Sequence, residues 1–155
     1  MEVDIDISRE QREQICNNLS VLLADSYMLY LKTQNFHWNV KGPRFYELHK
    51  MFEEQYTALA TAIDEIAERI TTLGAKAPGS FMEFSELSNI KESKESLSAD
   101  EMIKVLAIDN EGVAKVAKSG ITIASEAGDD PTVDLLTQRA QIHEKTSWML
   151  RSSQA

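Results

Sequence analysis

HKMFEEQYTALATAIDEIAE, residues 49–68, reads as one uninterrupted helix bearing four potential metal ligands: His49, Glu53, Asp64 and Glu68. At roughly 100° per residue, counted from Phe45, they fall near roughly 40°, 80°, 100° and 140°, a single stripe. The apolar residues of the same stretch, Phe45, Leu48, Phe52, Leu59, Ile63, Ile66, Ile70 and Leu73, cluster about 130° away and form the face that enters the core. The ligand stripe therefore points outward. His49 and Glu68 lie roughly 28 Å apart along the axis at ~1.5 Å per residue, too far to share one ion within one copy.

Two copies packed antiparallel about a two-fold axis remove that difficulty. The axis that pairs His49 with Glu68 also pairs Glu53 with Asp64. It passes between Ala58 and Leu59, where the small residues Thr57 and Ala60 allow close approach. Self-complementarity of this kind belongs to an isologous dimer. Imidazole plus carboxylate suits iron and leaves positions open to an oxidant. A solvated acidic face on an amphipathic helix would also display these carboxylates; the outward His49 and the common axis favour a site.

The 155 residues, 43% of them hydrophobic, predict one domain over residues 1–155 with a sizeable core. Sixteen basic against 25 acidic residues leave a formal charge of −9, which disfavours nucleic acid and anionic membrane surfaces and favours cations. Cys16 is the only cysteine, so no intrachain disulfide can form and a reducing cytoplasm is expected; in the apolar pattern of its helix it reads as a small hydrophobe. No apolar run is long enough to span a membrane, and MEVDIDIS lacks the features of a signal peptide.

Four long helical patterns are punctuated by recognisable signals. Ser8 and Gln11 form a capping box that opens the first helix, expected to run to about Asn35. Gly42-Pro43 opens the second, with proline near its first position, and Gly74 closes it at about residue 73. A Ser/Lys/Glu-rich segment from Ala75 to Leu97 is long enough to cross the bundle, with FMEFSEL, residues 81–87, as a short helix over the core. Ser98 and Glu101 cap the third long helix, expected to reach about Ser125 with weak points at Gly112 and Gly120; Asp130-Pro131 opens the fourth, to about Arg151. The fold class is thus all-α: a four-helix bundle of two antiparallel hairpins joined by one long crossover containing a short helix, the ferritin-like variety.

NFHWNV (35–40), FYELH (45–49), Glu53, AIDEIAER (62–69) and HEKTSWMLR (143–151) occur in order and at compatible separations. Together they closely resemble the Dps family of mini-ferritins across nearly the whole chain. The resemblance implies a cytoplasmic homo-oligomer, a dodecameric shell that oxidises Fe(II), commonly with hydrogen peroxide, or with oxygen, stores Fe(III) mineral and limits oxidative stress. It assigns His37, His49 and Glu53 of one subunit, with Asp64 and Glu68 of the two-fold mate, to the ferroxidase site. Glu53, a position often occupied by aspartate in the family, would help to hold a second, weaker iron. Trp38 is implied beside the site, where an indole can pass an electron; an aromatic anchor between helices is an equal reading.

Within SEAGDDPTVDLL, residues 125–136, the resemblance nominates Asp130 and Asp134 as a possible iron pore, flanked by Glu126 and Asp129. Acids at a helix N-terminus also cap it, a role Asp130 could share. His143 reads as a structural or solvent-facing histidine, and Trp148 and Met149 read as packing residues. The Glu-x-x-His pair of a di-iron site inside a bundle is absent from the sequence. The alternative function, a nucleoid protein that mainly compacts DNA, needs basic residues; residues 1–7 hold three acids and no base, and RSSQA at the end offers one arginine, so direct DNA binding is not expected.

Overall fold

Ser8 accepts a hydrogen bond from the Gln11 amide at 3.2 Å and the Gln11 side chain reaches back to the Ser8 amide, closing the expected capping box. From there the computed structural model, which describes residues 1–155, forms five helices: α1 (Arg9–Asn39), α2 (Phe45–Thr72), α3 (Phe81–Leu87), α4 (Ala99–Glu126) and α5 (Asp130–Ser152). α1 outlasts the expected end at Asn35 by a full turn. Phe36, fully buried, continues the stripe of Ile15, Leu19, Leu22 and Leu29, and the Val40 amide still bonds to the Phe36 carbonyl at 2.9 Å. That extra turn carries His37.

Pro43 lies in the connecting turn rather than at the first helical position. α2 starts at Phe45 because the Phe45 amide closes the turn on the Gly42 carbonyl at 3.0 Å, with Gly42 at φ +119°. At the other end Gly74 takes φ +92°, and the Ala75 amide returns to the Ile70 carbonyl at 3.2 Å. Leu48, Phe52, Leu59, Ile66, Ile70 and Leu73 are buried as the periodicity requires, whereas Phe45 is half in solvent.

α1 packs on α2, α4 on α5, and α1 on α4, while the α2–α5 side of the bundle is the loosest. The crossover is held in place. Phe84 of α3 stacks on Tyr27 with ring centroids 4.9 Å apart. Beyond it, buried Asp25 accepts from the Ser88 hydroxyl at 2.8 Å and the Asn89 amide at 2.7 Å. Lys32 donates to the Lys91 carbonyl at 2.8 Å and pairs with Asp109 at 2.7 Å. Gly120 has a packing reason in α4: a Cβ there would clash with Asn18 Oδ1 and lie 2.8 Å from Leu136 Cδ1, so glycine permits close packing of the helices. Cys16 is buried, its thiol pKa pushed up by desolvation, in keeping with a packing role.

The cap of α5 is Asp129, not Asp130. Its carboxylate accepts from the Thr132 amide at 3.1 Å and pairs with Arg69 at 2.8 Å, tying the end of α2 to the start of α5. Since Asp129 is only 1% exposed, it is removed from the pore candidates.

Candidate metal centre

The last turn of α1 and the first turn of α2 run side by side, and two histidines lock them together. His37 Nδ1 lies 2.7 Å from the His49 carbonyl, and His49 Nδ1 lies 2.7 Å from the His37 carbonyl. A carbonyl can only accept, so each Nδ1 carries a proton and donates it, which leaves Nε2 as the ring nitrogen available to a metal. The rings stack at 3.8 Å and 13°. Phe45 stacks on His49 at 4.9 Å, and Tyr56 meets His37 edge-on at 5.3 Å, so packing fixes both rings. Phe45 thus has a reason to lie off the core stripe.

Glu53, one turn beyond His49, completes the cluster: the ligand atoms of His37, His49 and Glu53 all lie within 4.8 Å of one another. His37 is buried, while His49 and Glu53 are half-buried and open outward. Lys50, the near neighbour of Glu53 at 4.0 Å, is exposed and makes at most a weak ion pair. Two imidazoles, oriented by hydrogen bonds from the nitrogens that do not ligate, and one carboxylate are a donor set for a divalent transition metal.

Asp64 and Glu68 are exposed further along α2 and do not join this cluster within the chain. Between the two groups Thr57, Ala58 and Ala60 are also exposed, so the outward stripe is free along its length. Glu68 and Asp134 line one groove between α2 and α5, so Asp134 lies nearer the proposed ligands than the sequence suggests. Asp130, Asp134 and Glu126 are all exposed, and Asp134 accepts from Gln138 at 3.0 Å. Trp38 projects into solvent next to His37. Trp148 and Met149 also face outward, against expectation, because α5 buries Leu136, Ala140, His143, Ser147 and Leu150 on its opposite face.

His143 is structural. Its Nδ1 lies 2.8 Å from Asn110 Oδ1 and its Nε2 lies 3.1 Å from Arg139 Nη2, occupying both ring nitrogens. Burial, aided by the Arg139 charge, pushes its pKa down to about 3. Arg139 and Asn110 went unnoticed in the sequence, although Arg139 stands four residues before His143 on the apolar face of α5.

A profile of the ferritin-like domain matches residues 16–153. Fold and sequence together therefore define a ferritin-like protein. DNA protection during starvation protein 2 of Bacillus anthracis is 41% identical, over 90% of this chain and 96% of its own. The Dps crystal structure from Vibrio cholerae, described as a ferritin-like diiron-carboxylate protein, superposes with a TM-score of 0.92 at 33% identity, covering 98% of this chain and 96% of that one. Dps from Staphylococcus aureus gives 0.89 at 35%, covering 92% and 96%. The chain belongs to the Dps family.

Proposed function

We propose that this protein is an iron-storing ferroxidase whose metal centres are closed by pairs of subunits. One subunit contributes His37, His49 and Glu53, and the two-fold mate contributes Asp64 and Glu68. The observation that carries this reading is the reciprocal His37–His49 pairing, which engages both Nδ1 atoms and leaves two imidazole Nε2 atoms to ligate together with Glu53. The substrates are Fe(II) and hydrogen peroxide. Each peroxide takes two electrons as its O–O bond breaks, so two Fe(II) are oxidised per peroxide. Hydrolysis of the Fe(III) to hydrous oxide then releases protons to water. The mineral collects inside a dodecameric shell in the cytoplasm, where consuming iron and peroxide together limits oxidative damage. A net charge of −9 supports cation uptake and gives DNA phosphates little to hold, so protection is chemical rather than by coating.

The test is complementation. His49→Ala and Glu68→Ala chains are each expected to be inactive as homogeneous oligomers. In a mixed shell, a dimer of one mutant with the other puts both lesions in one site and leaves its twin whole. Initial Fe(II) oxidation after peroxide addition should recover in mixed shells with verified chain exchange; no recovery rejects the shared site.

A further inference from the structure

Arg139 carries its charge into the middle of the bundle with no carboxylate against it. The residue is 7% exposed, its Nη2 is bonded to His143, and its Nε is buried without a partner. The carboxylate that acts on it, exposed Glu65, does so through space and forms no ion pair with it, and desolvation lowers the pKa of the guanidinium. His143 cannot neutralise it. The hydrogen bonds run in one direction: Asn110 Nδ2 donates to the Leu106 carbonyl at 2.8 Å, so Asn110 Oδ1 faces His143 Nδ1 as an acceptor. His143 Nδ1 is therefore the donor, and its Nε2 lone pair meets Arg139. The network keeps one net positive charge, and an unpaired buried charge is among the most costly features a fold can hold.

Beside this guanidinium, at the loose α2–α5 side, lies a cavity of about 50 Å³. That is several times the ~10–15 Å³ a single water requires. Thr33, Gln55 and Thr146, whose hydroxyls and amide can donate hydrogen bonds, line it, and no acidic residue does. Donors, one cation and no acid repel a metal ion and suit an anion, and a single buried charge is balanced by one negative charge. We propose that this cavity binds a small monovalent anion of chloride size, held by the Arg139 guanidinium. The ion would neutralise the bundle interior and join α2 to α5 where their own packing is weakest.

Bromide is the probe, because it replaces chloride and scatters anomalously. Crystals of the assembled protein soaked in sodium bromide should show an anomalous peak in contact with Arg139 Nε. The peak should persist in His143→Gln and vanish in Arg139→Met, which has similar bulk and no charge. In solution, the thermal midpoint of the unmutated protein should rise by about 2 °C or more in sodium bromide over sodium gluconate at equal ionic strength, with no such rise in Arg139→Met. An unmutated crystal with water alone in the cavity, or with Glu65 folded in against Arg139, overturns the proposal. A peak that survives Arg139→Met marks an adventitious ion only and also overturns it. Equal midpoints in the two salts do the same, and none of these readings depends on iron oxidation.

Discussion

The corner where α1 meets α2 and the interior between α2 and α5 use the same side chain in opposite ways. At the corner, each of His37 and His49 gives its Nδ1 proton to a backbone carbonyl, leaving Nε2 without a protein partner in a cluster that includes a carboxylate. In the interior, His143 has both nitrogens engaged, one of them against a buried cation. The first arrangement invites a metal ion and the second repels one. The difference lies in what surrounds the imidazole: carbonyls and acids at the surface, a guanidinium in the core. The charge of Arg139 makes the interior beside His143 unfavourable for a cation.

The sharpest attempt to break the contrast exchanges the histidines' fates. His49→Ala should lower the initial rate of Fe(II) oxidation by about 100-fold or more, since disturbing even the groups that orient a ligand costs about 10–100-fold. His143→Gln should leave that rate within about twofold. Stopped-flow oxidation on shells of verified size measures both, and a large loss from His143→Gln would erase the distinction.

Acid should then separate the two regions by stability. Unfolded, His143 takes a proton as pH falls through its ordinary value of 6.5; folded, it stays neutral until about 3. Its contribution is therefore intact above pH 6.5 and is lost towards pH 3, at about 1.4 kcal/mol per pH unit. Unfolding free energies between pH 4 and 7 should show a shallower acid limb for His143→Gln than for the parent. Asp109, whose pKa burial raises, is common to both proteins and cancels in the comparison. Parallel limbs would show that His143 is not held neutral.

The smallest effect concerns iron ingress. Asp130→Asn/Asp134→Asn should slow Fe(II) oxidation a few-fold at low salt and less at moderate salt, because neutralising carboxylates removes electrostatic focusing. Asp129, the actual cap, is untouched, so the melting temperature should hold. Asp130→Asn alone separates ingress from the groove that Asp134 shares with Glu68. Rates equal to the parent at every iron and salt concentration would return both aspartates to solvated surface.

Helices, caps and the outward stripe were legible in the chain because they depend on residues three or four apart. The Ser8 and Ser98 boxes, the short helix at 81–87 and the exposure of Asp64 and Glu68 all follow from such local rules. Local rules misjudged the end of α1 and the cap of α5. Phe36 carries α1 onward because a core receives it, and Asp129 outcompetes Asp130 as cap because Arg69, 60 residues away, is waiting for it. Trp148 and Met149 are apolar by type yet lie off the face that α5 buries.

The sequence by itself determined an all-α bundle and which side chains of α2 face away from its core, since helical periodicity needs no partner to be read. Only the tertiary structure decided that His37 and His49 fix each other's tautomers, because that takes two backbones brought side by side across the turn between α1 and α2. It alone also revealed that Arg139 stands unpaired: what a charge lacks is a property of its surroundings, and those are assembled from α1, α2, α4 and α5 at once.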